Sequence, residues 1–423
     1  MKVLLLGSGG REHALAWKLS QSPLLSELFI APGNAGTAGL GTNLPFQVTD
    51  FPAIREACLE HSVDLVLVGP EDPLVLGIHD FFLLDPRLAS ISVIGPNQQA
   101  ARLEGSKDFA KAFLRKYGIP NAAYRTFIED TLSEGIAFLD TLPPPFVLKA
   151  DGLAAGKGVV ICQTKEEAVL ELTSMLRHAR FGAASRKVVI EQFLQGIELS
   201  AFIISDGRNY KILPEAKDYK KIGEGDTGPN TGGMGSVSPV PFARGAFLRK
   251  VEERIIIPTM QGLQKEGIRY QGFLFFGLMN VAGDPYVIEY NCRLGDPEAE
   301  AILPRLETDL LELCRAVAAG TLDRLDLRTD PRTAASVMLV SEGYPGAYPK
   351  GKVITGADTI SGSVLFHAGT LMVNETLVTN GGRVMAVTSL GATRPEALER
   401  SYETARQIGF EGKYFRKDIG FDI

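Results

Sequence analysis

The 423-residue sequence predicts a multidomain protein, α/β in its N-terminal part and α+β in the remainder. Three observations lead to this fold class. Strand-like and helix-like patterns alternate at the start, paired strand-like runs surround glycine-rich turns in the middle, and short strands with one closing helix fill the end. We therefore predict three domains, at residues 1–102, 103–327 and 328–423.

The N-terminal domain is predicted from short apolar runs that each end near Gly or Pro, at 2–6, 28–31, 64–68 and 92–94. Residues 11–20, between the first two runs, have helical spacing. A strand, a turn and a helix in that order favour a parallel sheet covered by helices on both faces.

The middle region contains two strand pairs. The runs 146–150 and 158–162 are joined by DGLAAGK, which predicts an antiparallel hairpin with a glycine-rich tip. The runs 271–281 and 285–293 read as a second pair. Residues 223–235 have many glycines and no periodicity, so we predict a long functional loop. A closing helix is expected near 395–408.

Composition limits the classes of function. The formal net charge is −6, and no run of Lys or Arg forms a basic stripe, so nucleic acid is not expected as the main partner. The four cysteines lack metal-ligand spacing, which indicates reduced thiols in a cytoplasmic protein. No apolar stretch is long enough to predict a membrane span or a signal peptide.

The first glycine-rich segment is GSGGRE at 7–12, which follows a strand and opens a helix. Backbone N–H groups at a helix N-terminus attract anions, so this is a candidate phosphate site. A dinucleotide fingerprint would need glycine where Glu12 stands, which disfavours NAD. A tight turn without any ligand is the alternative.

The second glycine-rich segment, DGLAAGKG at 151–158, does not have P-loop spacing, and a strand follows it instead of a helix. Small residues at a hairpin tip can still close over phosphates, with Lys149 and Lys157 supplying positive charge. The alternative is a surface hairpin with solvated lysines.

The segment VIEYNCRLGDPE at 287–298 is the most informative. Strand alternation places Val287, Glu289, Asn291 and Arg293 on one face and the residues between them in a core. Carboxylate and amide oxygens suit Mg²⁺, and a guanidinium can hold carboxylate or phosphoryl oxygens. A solvated Glu–Arg pair on a surface strand is the alternative.

Together these segments resemble the ATP-grasp superfamily, and within it the phosphoribosylamine–glycine ligase family. The matching stretches run from the first strand to the last residues: GSGGREHALAWKL, APGNAGT, VGPEDPLV, LEGSK, KADGLAAGKGV, DTGPNTGGMG, IEYNCRLGDPE, HAGT, TNGGRV and FRKDIG. The resemblance implies an N-terminal αβα domain, a central ATP-grasp domain with a lid at about 123–193, and a C-terminal domain.

The resemblance also implies a reaction and a set of nucleotide-binding residues. Glycine and 5-phosphoribosylamine would be joined with ATP through glycyl phosphate, as a step of purine biosynthesis, by a monomer. Mg²⁺ or Mn²⁺ would be bound by Glu289 and Asn291, and Arg293, Lys149 and Lys157 would be catalytic. The residues implied for ATP are Lys107, Lys149, Lys157, Glu191, Phe193, Leu194 and Glu198.

For the two substrates, the resemblance implies that the N-terminal glycine segment with Asn34 and Gly36 holds 5-phosphoribosylamine, and that the loop at 226–235 closes over the reacting centre. The full implied substrate set is Gly9, Gly10, Arg11, Glu12, Asn34, Gly36, Asp218, Asp226, Thr231, Gly232, Gly233, Met234 and Arg293. The sequence departs from the family pattern at Ala216 and Tyr219, which puts a specific role for those two positions in doubt.

Two alternatives stay open from the sequence. A related ATP-grasp ligase for another acid or amine would need the same lysines and the same metal-binding strand. A nucleotide-binding regulatory protein without catalysis would be expected to lose some of Lys149, Lys157, Glu289, Asn291 and Arg293, and all five are present.

Overall fold

A computed structural model describes residues 1–154 and 158–423. Its first part is a five-stranded parallel sheet with the order β3-β2-β1-β4-β5, where the strands are β1 Lys2–Gly7, β2 Glu27–Pro32, β3 Thr42–Asn43, β4 Leu65–Val68 and β5 Ser92–Ile94. The helices are α1 Gly10–Leu19, α2 Phe51–Glu60, α3 Glu71–Val75, α4 Ile78–Leu84 and α5 Gln98–Gly105. Successive residues of β1 enter two different apolar cores, so both faces of the sheet are covered, as predicted.

The second part is an antiparallel sheet with the order β6-β9-β7-β8, from β6 Tyr124–Phe127, β7 Phe146–Ala150, β8 Val159–Cys162 and β9 Val188–Gln192. It follows α6 Lys107–Lys116 and packs against α7 Leu132–Leu139 and α8 Lys165–His178. Strands β6, β7, β8 and β9 and helices α7 and α8 share an apolar core of their own, and we call these six elements the lid. The predicted hairpin is β7 with β8, and Lys149 pairs with Val159 beside its tip.

The third part is an antiparallel sheet of eight strands, ordered β16-β15-β10-β11-β14-β17-β21-β18. Its strands are β10 Ile197–Asp206, β11 Tyr210–Asp218, β14 Gly235–Ser238, β15 Gln271–Val281, β16 Asp284–Asn291, β17 Thr333–Val340, β18 Val364–His367 and β21 Arg383–Gly391. The sheet continues through the β14–β17 pairing, so strands on both sides of the predicted boundary at 327 share it. The boundary itself stays a prediction.

Helices and two small hairpins complete the chain. The helices are α9 Ala246–Val251, α10 Ile257–Lys265, α11 Glu298–Ile302, α12 Leu310–Ala319 and α13 Arg394–Gln407, with a π-turn at Glu252–Ile256 between α9 and α10. The hairpins are β12 Lys221–Gly223 with β13 Thr227–Asn230, and β19 Thr370–Val373 with β20 Thr376–Thr379. In the described ranges, no helix combines the length and the apolar character that crossing a bilayer would require.

One expectation about 223–235 was wrong. The segment contains strand β13, which pairs with β12, instead of being a loop throughout. Gly225 and Asp226 have φ of +64° and +55°, and they turn the chain between the two strands. Because backbone pairing at a tight turn does not require side-chain alternation, the sequence pattern could not reveal this hairpin.

Candidate active site

Lys149 joins the lid to β16. Its Nζ lies 3.0 Å from Glu191 Oε1 on β9, and Lys111 of α6 lies 2.9 Å from Glu191 Oε2. All three side chains are buried. Burial alone would raise the pKa of Glu191, but the two ammonium groups hold it below its usual value. Lys149 Nζ also donates to Ile288 O at 3.3 Å, so the lysine reaches from the lid to the strand predicted to bind metal.

Lys107 lies at the start of α6, next to the hairpin. Ser106 caps this helix, and its hydroxyl donates to Asp151 Oδ1 at 3.0 Å. Lys107 Nζ donates to Gly152 O at 3.3 Å, which places a second cation beside the hairpin tip. Lys157 lies outside the described residues, so its contact with ATP stays a prediction.

The residues predicted to read adenine and ribose surround the connection between β9 and β10. Phe193 and Leu194 follow β9 and are partly exposed. Glu198, near the start of β10, accepts a hydrogen bond from Lys220 at 2.7 Å. The Glu191 carboxylate is already occupied by its two lysines. These adenine and ribose contacts stay predictions.

Strand β16 carries the predicted metal ligands, with one correction to its alternation. The β15–β16 register shifts between Gly277 and Leu278, which makes Ile288 an extra, bulged residue. As a result Val287 is fully buried in the same core as Tyr290, instead of facing the cleft as we predicted. Because the bulge precedes Glu289, strict alternation holds only for the residues after it.

Glu289 is the carboxylate best placed to receive a cation. Within residues 1–154 and 158–423 it makes no hydrogen bond or ion pair. Burial lowers the pKa of Lys107, and attraction to Glu289 opposes that shift. Asn291 satisfies its hydrogen bonds when its side-chain nitrogen donates to Glu104 Oε1 at 2.8 Å. In that orientation the amide oxygen points away from the Glu104 carboxylate. Two hard oxygen ligands on one strand fit Mg²⁺.

Arg293 has partners that the sequence did not reveal. Its Nε donates to Glu71 Oε2 at 3.1 Å, its Nη2 lies 2.9 Å from Glu104 Oε1, and its Nη1 donates to Leu294 O at 3.2 Å. Three of its five N–H groups therefore have partners among residues 1–154 and 158–423, and the other two have none there.

Glu104 and Glu71 belong to the candidate site, and sequence reasoning missed them. Burial, opposed by Arg293, raises the pKa of Glu104 to about 7. Glu104 also accepts the Cys292 N–H at 2.6 Å, so it anchors the end of β16 to α5. Both glutamates lie in stretches that carry the family resemblance, LEGSK and VGPEDPLV, which was the available signal.

The N-terminal glycine segment differs from the anion site that we expected. Glu12 Oε2 accepts the Gly9 N–H at 2.6 Å, and Asp296 Oδ2 accepts the Arg11 N–H at 3.2 Å. Arg11 Nε also donates to Glu12 Oε1 at 2.6 Å. Two carboxylates therefore lie where a phosphate would bind this end of α1, which does not favour a phosphate there.

Asn34 and Gly36 lie at a contact between the N-terminal sheet and β18. The Asn34 amide donates to Ser8 O and His367 O, both at 2.8 Å, and accepts the Gly36 N–H at 2.9 Å. His13 Nδ1 accepts the His367 N–H at 2.7 Å. Burial, and then His367, lower the pKa of His13 to about 3, and burial lowers the pKa of His367 to about 4. Both imidazoles are therefore neutral near pH 7.

The C-terminal domain holds the start of the loop at 226–235. Arg416 is fully buried, and its Nη1 donates to Asp226 Oδ1 at 2.7 Å while Asp418 binds its other nitrogens. Thr231 Oγ1 donates to Lys220 O at 2.8 Å. Asp226 and Thr231 thus have structural partners in this conformation.

The end of the same loop is held as closely. Gly232 donates its N–H to Tyr344 Oη at 2.8 Å, and its carbonyl accepts from Arg383 Nη1 at 2.6 Å. Gly233 has a φ of +116°, and a Cβ there would lie 2.3 Å from Pro297 Cδ. Glycine is therefore required where the loop meets the segment after β16.

Met234 does not face a cleft. Its side chain is fully buried, its N–H donates to Tyr219 O, and its carbonyl accepts from Met338 N–H. The structure gives Met234 a core role, so we leave it out of the proposed substrate contacts. Ala216 and Tyr219 are also buried in that core, which explains how these departures are tolerated. Burial, and then Glu298, raise the pKa of nearby Asp218.

Comparison with known proteins covers nearly the whole chain. The family models described as phosphoribosylglycinamide synthetase match residues 1–104 as the N domain, 105–299 as the ATP-grasp (A) domain and 334–422 as the C domain. The phosphoribosylamine–glycine ligase of Vibrio cholerae is 46% identical over 426 residues, which covers 100% of this chain and 98% of the relative. The enzyme of that name from Escherichia coli K12 is 46% identical over 427 residues, with the same coverage.

Solved structures agree with this relationship. Phosphoribosylamine–glycine ligase from Thermotoga maritima superposes with a TM-score of 0.86 at 39% identity, covering 99% of this chain and 100% of the other. The biotin carboxylase domain of Hydrogenobacter thermophilus 2-oxoglutarate carboxylase, solved with ADP and magnesium, has a TM-score of 0.73 at 17% identity, covers 98% and 91%, and shows the fold alone. The chain belongs to the phosphoribosylglycinamide synthetase family and is an ATP-dependent ligase of the ATP-grasp superfamily.

Proposed function

We propose that this chain ligates glycine to 5-phosphoribosylamine, giving glycinamide ribonucleotide, ADP and phosphate in de novo purine biosynthesis. The observation that carries the proposal is the full-length similarity to relatives of that name, together with Lys149 reaching from the lid to the strand of Glu289 and Asn291. We propose the cytoplasm as its location and a monomer as its form.

ATP is proposed to bind between the lid and β16. Lys107, which contacts Gly152 in the hairpin, and Lys149, which contacts Ile288 on β16, would bind the ATP phosphates together with Lys157. The connection after β9 would receive adenine, and Glu198 would hold the ribose. Positive charge and fixed positions are what phosphoryl transfer requires of a protein.

The metal proposed here is Mg²⁺ or Mn²⁺. Glu289 and Asn291 supply two oxygen ligands, and nucleotide phosphates and water would complete the coordination, as is usual for Mg²⁺. No cluster of three or more His, Cys, Asp or Glu ligands occurs in the part of the chain that the structure describes. When bound, the ion supplies charge neutralisation at the phosphate oxygens.

The proposed chemistry has two steps. A glycine carboxylate oxygen attacks the γ-phosphorus of ATP, so ADP leaves and glycyl phosphate forms. The amine nitrogen then attacks the acyl carbon, the carbon–oxygen bond breaks, phosphate leaves, and the nitrogen loses a proton. Arg293 retains two N–H groups that would steady the acyl and phosphoryl oxygens. The lid and the loop at 226–235 would exclude water from glycyl phosphate.

Release of ADP dependent on both substrates tests this function. The purified chain is incubated with ATP, Mg²⁺, glycine and freshly generated 5-phosphoribosylamine, and glycinamide ribonucleotide is detected by mass spectrometry. We expect stoichiometric ADP and product only when both substrates are present. ATP binding without turnover would support the regulatory alternative, and product from a different acid or amine alone would support a related ligase.

A further inference from the structure

A group of charged side chains lies where the N-terminal sheet, the segment after β16 and the large sheet meet. Its members are Arg11, Asp296, Glu300 and Arg383, and we call it the junction cluster. Arg383 Nη1 lies 2.9 Å from Asp296 Oδ1 and donates to Asp296 O at 2.8 Å. The same nitrogen donates to Gly232 O at 2.6 Å. One guanidinium therefore contacts both the loop at 226–235 and the segment after β16.

Asp296 is held from two directions. Its Oδ2 accepts the Arg11 N–H at 3.2 Å, and its Oδ1 faces Arg383. Its side chain is 11% exposed, whereas Glu300 behind it is fully buried. A Cβ at Gly10 would lie 2.2 Å from Glu300 Oε1, so the glycine segment packs directly on this second carboxyl. Asp296 is the member of the pair that reaches solvent.

The pKa values of the two carboxyls, Asp296 and Glu300, are shifted in opposite directions. Burial, and then Asp296, raise the pKa of Glu300 well above its usual range, while Arg383 and Arg11 hold the pKa of Asp296 low. Asp296 is therefore the more acidic carboxyl of the pair. The Arg11 side chain pairs with Glu12, so Arg383 supplies the guanidinium that contacts Asp296, and it also donates to the Gly232 carbonyl.

We propose that Arg383 is a positioning residue for the amine substrate, which orients Gly232 and Asp296 relative to the N-terminal glycine segment. The inference rests on the proposed function. Arg383 contacts Gly232, which belongs to the predicted substrate set, and Asp296, which accepts the Arg11 N–H of the segment predicted to hold 5-phosphoribosylamine. Within residues 1–154 and 158–423 it makes no hydrogen bond or ion pair with Lys149, Lys107 or Glu289. Substitution of Arg383 should therefore lower kcat/KM for 5-phosphoribosylamine and leave the KM for ATP nearly unchanged.

A split between kinetic constants tests this role. In Arg383→Met, kcat/KM for 5-phosphoribosylamine should fall about 100-fold, because small misplacements of a reacting group have that effect. The KM values for ATP and for glycine should change less than about 2-fold, since Arg383 acts only on the later step. Arg383→Lys should recover part of the loss, because one ammonium can reach Asp296 or Gly232 but not hold both.

Two further variants make the test specific. Tyr344→Phe removes only the acceptor of the Gly232 N–H, so it should give the same split with a loss of about 10-fold. Arg400→Met is the matched control, because Arg400 also lies in the C-terminal domain and pairs with Glu396 on an exposed helix surface. It should leave all constants unchanged. Should Arg383→Met fail to fold, Tyr344→Phe decides the question.

The proposal is overturned if Arg383→Met and Tyr344→Phe turn over normally, or if their KM for ATP rises as much as their KM for the amine. Failure of the proposed function looks different. In that case the unmodified protein forms no glycinamide ribonucleotide, and no variant needs to be compared.

Discussion

The nucleotide side and the amine side of the candidate site use charge differently. On the nucleotide side, Glu289 has no partner among the described residues, Lys107 contacts Gly152 in the hairpin, and Lys149 contacts Ile288 on β16. On the amine side, Glu12 pairs with Gly9 and Arg11, and Asp296 pairs with Arg11 and Arg383. A charged side chain without a partner indicates a position where a ligand binds. Charged side chains that pair with one another indicate a site whose geometry is already fixed before the ligand binds. Arg293 links the end of β16 to Glu71 on α3 and Glu104 on α5.

The largest expected effect follows from breaking that link. Arg293→Ala should abolish ligation and also destabilise the protein by about 3–5 kcal/mol, because it leaves the buried Glu104 and the nearby Glu71 without their cation. Product formation and the urea unfolding midpoint measure the two effects. The double variant Arg293→Met with Glu104→Gln should regain stability and stay inactive. An active Arg293→Ala enzyme would remove Arg293 from the chemistry.

Glu289→Gln should lower turnover at ordinary Mg²⁺ concentrations and shift the Mg²⁺ titration to higher concentration by about 10-fold or more, since a ligand carboxylate is lost. Stability should change little, because Glu289 makes no ion pair within the described residues. Glu129→Gln, at an exposed position in the lid, is the matched control. An unchanged titration would refute the metal assignment.

The sequence predicted the fold and the family better than the contacts of individual side chains. The fold class, the β7–β8 hairpin and the β15–β16 pair were correct, because apolar periodicity and glycine-rich turns determine them locally. The bulge at Ile288 and the burial of Met234 were missed, because register shifts and tertiary packing leave no local pattern. The partners of Arg293 lie 222 and 189 positions away in the chain, beyond the reach of any spacing rule.

Two lysines of α6 offer a smaller comparison on the nucleotide side. Lys111 is buried against Glu191, whereas Lys116 pairs with Glu266 at the surface. Lys111→Met should destabilise the lid by about 2 kcal/mol, because Glu191 keeps only Lys149 to balance its buried charge. Lys116→Met should leave stability unchanged, since exposed pairs contribute little. Urea midpoints of the two variants measure this difference, and equal midpoints would contradict it.

The smallest expected effect concerns Glu300 on the amine side. Its folded-state pKa is raised by burial and Asp296, so stability is fully present below the unfolded pKa and declines as pH rises toward the folded value. Glu300→Gln keeps the shape of the side chain but removes its ionisable group, so this decline in stability with pH is lost. The variant should therefore gain thermal stability relative to the unmodified protein as pH rises above the ordinary glutamate pKa of 4.5. A difference that does not vary with pH would show that Glu300 is ionised.

The central claim is that glycine is activated as an acyl phosphate between the lid and β16. Turnover with glycine labelled with ¹⁸O in its carboxylate tests this most directly, with mass spectrometry of the released phosphate. The account predicts one ¹⁸O in the inorganic phosphate for each glycinamide ribonucleotide formed, because the carbon–oxygen bond breaks when the amine attacks. Phosphate without the label, alongside normal product, would contradict it.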